Sequence, residues 1–369
     1  MKITVLYLGK SGGGSVYTYE MVRHLLEQKA EIQLILSSLI ENKSDFENLK
    51  NQGNLNLIFT PTYKNGKDFV LKSLNILKFM KLGKKINSFS PDWIYIPMIS
   101  VWARMILPFV NKKTKVITTV HDVSMHLGEK NSLIDRFNDY IIRRSHKIVT
   151  LSERFIPLIS EKYGFNKKQI CWIRHGNYNY YRSSNFVNKN SITKRILFFG
   201  RIHEYKGISV LLDAMAIVKE KDADIVLNIV GKGKLSDSDN EKINRLGKSC
   251  SIVNKYIPNE EIHRYFEDID FVVVPYIEAS QSGVVMLAYS FSKPVIVTDV
   301  GGLPEQVFED TGVIIQPNDK NALADSILKM YAEPQKILDM GKSAEEKNET
   351  VFSWKVSAKK LLKFLETDF

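Results

Sequence analysis

Two fixed cations flank a glycine turn in the stretch Phe198-Phe199-Gly200-Arg201-Ile202-His203-Glu204-Tyr205-Lys206-Gly207. The apolar run Ile196–Phe199 leads into that turn, and an amphipathic helical pattern follows from Ile208. In an open α/β sheet, ligands dock at the carboxyl ends of strands. The helix N-terminus behind the turn adds oriented N–H groups and partial positive charge. Arg201 and Lys206 at such a place suit a diphosphate better than a single carboxylate. Gly12-Gly13-Gly14 also follows an apolar run and precedes a helix, so its amides can approach a ligand closely, or it is a tight structural turn. It is not G-x-G-x-x-G, and no acidic residue clearly ends the second strand, so NAD binding has little support. Gly231 and Gly233 end another apolar run, and Ser282-Gly283-Val284 forms a turn before a helix. His121 stands at a carboxyl strand end, where it is either a substrate contact or an ordinary structural histidine. Arg174-His175-Gly176 reads as a hinge turn.

These segments resemble the GT-B glycosyltransferases of the large retaining "glycosyl transferases group 1" family, also called family 4. The resemblance implies two Rossmann-like domains facing across a cleft, with Arg201 and Lys206 on the pyrophosphate of a nucleotide-diphosphate sugar. It implies that Gly13 and Gly14 lie near the donor phosphates or the acceptor, and that His121 lies near the transferred sugar. Asp122 and the loop from His126 to Gly128 are weaker members of the same site. Ser282, Gly283 and Val284 would face phosphate, while Gly231, Gly233 and the backbone at Tyr256 and Ile257 would face the nucleotide. The family's Glu-x7-Glu signature is incomplete here. Glu278 matches its first acid, but counting onward lands on Met286, and counting back from Lys293-Pro294-Val295 lands on Leu287 with Ala279 at the first position. The E-A-S-Q-S-G-V variant resembles a polysaccharide-synthesis branch. Glu305, in Gly301-Gly302-Leu303-Pro304-Glu305, is either a helix-start acid or a substitute near the donor.

By that resemblance the reaction retains anomeric configuration. Arg201, Lys206 and turn amides would neutralise the departing β-phosphate. No metal or other cofactor is expected, because Asp237-Ser238-Asp239 sits in a polar loop and Asp268-Ile269-Asp270 leads into a buried strand. The missing second acid keeps a non-catalytic nucleotide-sugar binder in play, and a GT-B-fold sugar-nucleotide epimerase would share the fold.

The elements that must position these residues read as repeated βα units, hence an α/β fold with parallel, doubly wound sheets. A chain of 369 residues exceeds one ordinary core. Residues 1–185 are expected to form an acceptor domain joined by a returning C-terminal helix, 353–369, and residues 186–352 a donor domain. The polar stretch Asn177–Lys194 is the linker candidate. Thirteen strand candidates fall in the two halves, and Phe69–Ile86 and Glu260–Phe266 read as helices. The final helix is expected to bury Val356, Leu361, Leu362 and Phe364.

Only Cys171 and Cys250 occur, without metal-ligand spacing. The opening apolar run is too short for a signal-peptide core, and no apolar stretch nears the roughly 20 residues a spanning helix needs. A cytoplasmic protein, peripheral to the membrane's inner face at most, is expected. The formal net charge of +11 admits nucleic acid, anionic membrane or phosphorylated substrate as partner. Nucleic acid is disfavoured, since the basic residues form no aromatic-interleaved recognition module. From Lys64 to Lys85, seven lysines interleave with Phe69, Leu74, Leu77, Phe79 and Leu82, and no acid falls between Asp68 and Asp92. That stretch is either a face for an anionic membrane or the solvated side of a Rossmann helix. With the former, the acceptor is a glycan or lipid-linked oligosaccharide of cell-surface polysaccharide assembly.

Overall fold

In the computed structural model, residues 1–121, 132–183, 186 and 191–367 are described. The chain divides into two compact units, residues 1–174 with 354–367 and residues 175–353, among those described. The division falls at Arg174/His175, about ten residues before the expected 185/186, because the segment after His175 is tied to the second unit. The Tyr178 N–H donates to Ser290 Oγ, and the Asn177 amide to the Asn348 carbonyl.

The first unit holds a parallel sheet in the order β3-β2-β1-β4-β5-β6-β7. Its strands are β1 (Lys2–Tyr7), β2 (Glu31–Ser37), β3 (Leu55–Thr60), β4 (Trp93–Ile96), β5 (Lys115–Val120), β6 (Lys147–Thr150) and β7 (Ile170–Trp172). Helices α1 (Gly13–Glu27), α2 (Lys43–Asn48), α3 (Gly66–Ser73), α4 (Ile76–Phe89), α5 (Val101–Ile106), α6 (Ser132–Arg144) and α7 (Ile156–Tyr163) alternate with them. Strands covered on both faces read as unbroken apolar runs, which is why β1, β2 and β4 were plain in the sequence. The expected single helix over Phe69–Ile86 is instead α3 and α4. Asn75 breaks it, its side chain accepting the Lys78 N–H to start a new helix.

The second unit holds a parallel sheet in the order β10-β9-β8-β11-β12-β13. These are β8 (Arg195–Phe199), β9 (Val226–Val230), β10 (Cys250–Val253), β11 (Phe271–Val274), β12 (Val295–Thr298) and β13 (Gly312–Ile315). Helices α8 (Ile208–Lys221), α9 (Asp237–Leu246), α10 (Gly283–Ser290), α11 (Lys320–Ala332) and α12 (Pro334–Thr350) accompany them. The expected helix at Glu260–Phe266 is a 3₁₀ segment, Asn259–Tyr265.

The last helix, α13 (Trp354–Glu366), belongs to the first unit. It buries Trp354, Ala358, Leu361 and Leu365, while Val356 faces outward, so its apolar stripe is rotated from the expected one. Trp354 meets Tyr17 of α1 edge-on at 5.0 Å. The fully buried Lys147 donates to the Phe364 and Thr367 carbonyls, placing a cation at the helix C-terminus. Both sheets reverse strand order beside their first strand, between β1 and β4 and between β8 and β11. Such reversals are where open α/β sheets take ligands.

Candidate active site

In the second unit, β8 runs out at Phe199 and its pairing with β9 continues through the turn. The Gly200 N–H donates to the Val230 carbonyl and the Ile202 N–H to that of Lys232, each at 2.9 Å. A Cβ on Gly231, whose φ is +149°, would lie 1.8 Å from the Gly200 oxygen. The glycines at 231 and 233 are therefore required by the seating of one turn on the other. Asn254 fixes that seating: its side chain accepts from the Gly233 N–H at 3.1 Å and donates to the Gly233 carbonyl at 3.0 Å. At the far end of the cationic turn, a Cβ on Gly207 (φ +69°) would fall 1.9 Å from the Pro275 oxygen. This close approach locks the start of α8 against the end of β11.

Each cation meets a tyrosine. Arg201 Nη2 donates to the Tyr205 hydroxyl at 3.2 Å, and Lys206 Nζ to the Tyr276 hydroxyl at 2.6 Å. The Lys206 ammonium also lies 3.9 Å from the centre of the Tyr276 ring. Arg201 is exposed, whereas Lys206 is only 9% exposed. Among the described residues, no carboxylate forms an ion pair with Lys206. A buried ammonium without a counter-ion is costly, so this site stores an unmet demand for an anion.

The Tyr276 hydroxyl also receives Ser282 Oγ at 3.3 Å, which ties Lys206 to the N-terminus of α10. Ser282 caps that helix, accepting from the Val284 N–H at 3.2 Å. Gln306 grips the same residue on both sides: its Oε1 accepts the Ser282 N–H at 2.8 Å and its Nε2 donates to the Ser282 carbonyl at 3.1 Å. The amides of Ser282 and Val284 are thus engaged internally, which departs from their expected phosphate-facing role. Gly283 keeps the first unclaimed helix amide among the described residues. A Cβ there would come within 3.0 Å of the Tyr178 ring. Val284 lies against the cationic turn, 3.7 Å from where a Gly200 Cβ would stand. The structure therefore links Lys206 to Ser282 through Tyr276, and sets Val284 against the turn that carries Arg201.

Other expected residues are placed less tellingly. Glu278 is half-buried beside the same turn, its N–H 3.4 Å from the Tyr205 oxygen. Glu305 is half-buried in the 3₁₀ turn Pro304–Gln306, next to the gripping Gln306. Tyr256 is exposed and the Ile257 side chain is buried. Both Asp-x-Asp pairs have structural uses. Asp239 closes a capping box with Ser236 at the start of α9. Asp270 accepts the N–H groups of Thr193 and Arg195 and the Tyr331 hydroxyl. Burial and the Asp270 charge together push the Tyr331 hydroxyl well above its usual pKa.

In the first unit, the glycine turn after β1 is filled from within. Glu41 Oε1 accepts the Gly12 N–H at 2.7 Å and the Ser15 hydroxyl at 3.1 Å, so a carboxylate sits at the N-terminus of α1. Burial, then the Glu41 charge, raise the pKa of the neighbouring Tyr7. A Cβ on Gly14 would come within 2.7 Å of Met98 Sδ and 2.9 Å of the Tyr7 hydroxyl. Gly13 and Gly14 thus adjoin an anion that belongs to the chain. His121, half-buried after β5, donates through Nε2 to the Pro97 carbonyl at 2.8 Å, and its ring meets Tyr17 at 5.1 Å. Asp122, His126 and Gly128 lie outside the described residues.

Residues 11–176 match the family model described as Glycosyltransferase Family 4, and residues 193–333 the one described as Glycosyl transferases group 1. Between them the two matches take in most of the chain. It belongs to the family 4, group 1 glycosyltransferases. Two relatives are the D-inositol 3-phosphate glycosyltransferase of Corynebacterium aurimucosum, 29% identical over 177 residues, and the amylovoran biosynthesis glycosyltransferase AmsK of Erwinia amylovora, 26% identical over 187. These alignments take in 46% and 47% of this chain, and 42% and 44% of the relatives, so the chain spans less than half the length of either. Across nearly the whole chain, the fold is that of Anabaena Alr3699/HepE in complex with UDP (TM-score 0.70, 17% identity, 99% of each chain covered).

Within this family 4 chain, sequence reasoning missed the residues that hold the functional ones. Tyr205 and Tyr276 aim the cations, and Gln306 and Asn254 fix the turns. One signal was available, since Tyr205 adjoins Lys206 and Tyr276 follows β11 by two residues. Gln306 and Asn254 gave none, because a side-chain amide reaching a backbone 24 or 21 residues away leaves no local pattern.

Proposed function

We propose that this family 4 protein is a retaining, metal-independent glycosyltransferase that moves a sugar from a nucleoside-diphosphate sugar to a glycan or lipid-linked acceptor in cell-surface polysaccharide assembly, on the cytoplasmic side of the membrane. The observation that carries the reading is Lys206, buried on a phenol and lacking a carboxylate partner among the described residues, at the strand-order reversal of the second sheet. Further support comes from Anabaena Alr3699/HepE, of like fold, whose complexes contain UDP and UDP-glucose, and from the relative AmsK, an amylovoran biosynthesis glycosyltransferase.

In this mechanism, breaking the anomeric bond builds negative charge on the leaving β-phosphate. Arg201, Lys206 and the Gly283 amide meet that charge with dipoles and cations already in place, so little reorganisation is needed at the moment of reaction. The acceptor hydroxyl attacks from the leaving-group side and passes its proton to the departing phosphate. His121 and Glu278 contact the transferred sugar. The Nε2 proton of His121 is committed to Pro97, which holds the imidazole in one tautomer.

The test is transfer of label from a nucleotide sugar into a lipid extract. Transfer by the wild type that survives EDTA and is lost in Arg201→Ala supports the proposal. Loss of transfer in EDTA would overturn metal independence. Free or epimerised sugar without any acceptor-linked product would move the protein to the epimerase or hydrolase class. Binding without turnover of any kind would leave a sensor.

A further inference from the structure

The break between α3 and α4 leaves Val70, Leu71, Leu74, Ile76 and Leu77 between 59% and 74% exposed within eight residues of chain. Elsewhere among the described residues, exposed large apolar side chains occur singly along the chain. A contiguous exposed apolar patch marks a contact surface. The core face of α4 is Phe79, Leu82, Gly83 and Ile86, so Leu74 and Leu77 are not part of it. Helical spacing puts Lys67, Val70, Leu71 and Leu74 on one stripe of α3, and Leu77, Lys81 and Lys84 on one stripe of α4. The apolar junction is thereby bordered along each helix by lysines.

Not every lysine in the region faces outward. Lys72 pairs with Asp68 at 2.8 Å and also donates to the Thr62 carbonyl. Lys78 lies over the Trp102 ring, 4.1 Å from its centre, and donates to the Pro61 carbonyl; burial lowers its pKa. Lys64, Lys67, Lys81, Lys84 and Lys85 are exposed. Asp68, the one acid from residue 64 to 85, is taken up by Lys72 and by the Lys64 N–H.

We propose that this surface seats the first unit on an anionic bilayer. The side chains of Leu71, Leu74, Ile76 and Leu77 enter the headgroup–acyl boundary while the exposed lysines engage acidic headgroups. A hydrocarbon phase and a sheet of negative charge are what an apolar centre with a cationic border complements. The assignment needs only this surface and does not rest on the transfer reaction.

The experiment is flotation of the whole protein with vesicles of equal parts phosphatidylcholine and phosphatidylglycerol, and with phosphatidylcholine alone. The wild type floats with the anionic vesicles, less so as salt rises. Leu71→Ser/Leu74→Ser/Leu77→Ser lowers the partition about 100-fold. Lys67→Gln/Lys81→Gln/Lys84→Gln lowers it about 100-fold and weakens the salt dependence, which Lys64 and Lys85 still carry. Leu158→Ser and Val356→Ser, at isolated exposed apolar positions, float as the wild type does. All these side chains are exposed, so an unchanged Tm is expected and checks folding. The proposal falls if the wild type stays with the soluble fraction or if the leucine variant floats undiminished. It falls equally if the leucine variant merely dissolves a dimer that never floated, which would give the face to a second copy of the chain.

Discussion

Each sheet places a glycine turn and a helix N-terminus beside its reversal of strand order, and the two places are filled in opposite ways. After β1, the Glu41 carboxylate takes the Gly12 N–H and the Ser15 hydroxyl, and no cation is needed to balance the helix end. After β8, two cations stand beside the turn, and the buried one rests on Tyr276. The first turn is electrically complete. At the second, the buried Lys206 has no carboxylate partner among the described residues. Glycine spacing alone does not separate the two; what separates them is which side chain reaches the turn from elsewhere in the fold. A ligand is expected where the protein has left its own charge unmatched.

The largest effect should come from Lys206→Met. Transfer is expected to fall about 100- to 1000-fold, the usual cost of removing one stabiliser of developing charge. The same variant should keep or raise the Tm of the free protein, because an unpaired buried ammonium is replaced by an apolar chain of similar length. Under the proposed function UDP raises the Tm of the wild type, and that rise should shrink with it. A variant whose Tm falls and which yet binds UDP normally would show that Lys206 is structural, and the contrast between the two turns would collapse. Tyr276→Phe comes next. It keeps the ring under the ammonium but removes the oxygen shared by Lys206 and Ser282, and a loss of about tenfold in kcat/KM is expected. An unchanged rate would mean that the ring alone positions the lysine.

The fold was legible because its strands are buried on both faces, so Ile32–Leu36, Val295–Thr298 and the rest stand out as apolar runs. The Arg201/Lys206 pair was legible because it is local. Three things were hidden, each for a physical reason. The break at Asn75 was masked because lysine and leucine continue at helical spacing on both sides of it. The α13 stripe was misplaced at one end because Val356 is apolar without facing the core, while Leu362 and Phe364 pack at its margin and Trp354, Ala358, Leu361 and Leu365 form its centre. Glu41 at the Gly12 turn was invisible because a contact across 29 residues is set by tertiary structure. Gly231 and Gly233 looked like ligand glycines, and their first duty is backbone against backbone.

The smaller predictions probe the clamps that make the two turns differ. Gln306→Ala leaves the buried Ser282 N–H without an acceptor, which should cost about 1–3 kcal/mol in a denaturant titration. Its effect on transfer should be weaker than that of Tyr276→Phe, since the cations keep their tyrosines. If transfer instead falls as far as in Lys206→Met, the α10 N-terminus rather than the lysine leads the grip.

Glu41→Gln should have the least effect, and it is the most discriminating. The amide oxygen can still accept from Gly12 and Ser15, so only the charge at the α1 N-terminus is lost, at about 0.3–1 kcal/mol of stability. The Tyr7 hydroxyl should ionise more readily in a spectroscopic titration, because the Glu41 charge contributes to its raised pKa. The UDP-induced rise in Tm should stay as in the wild type. Should that rise grow in Glu41→Gln while persisting in Lys206→Met, the first turn would be the one that takes the diphosphate once its own carboxylate withdraws, and the roles assigned to the two turns would be reversed.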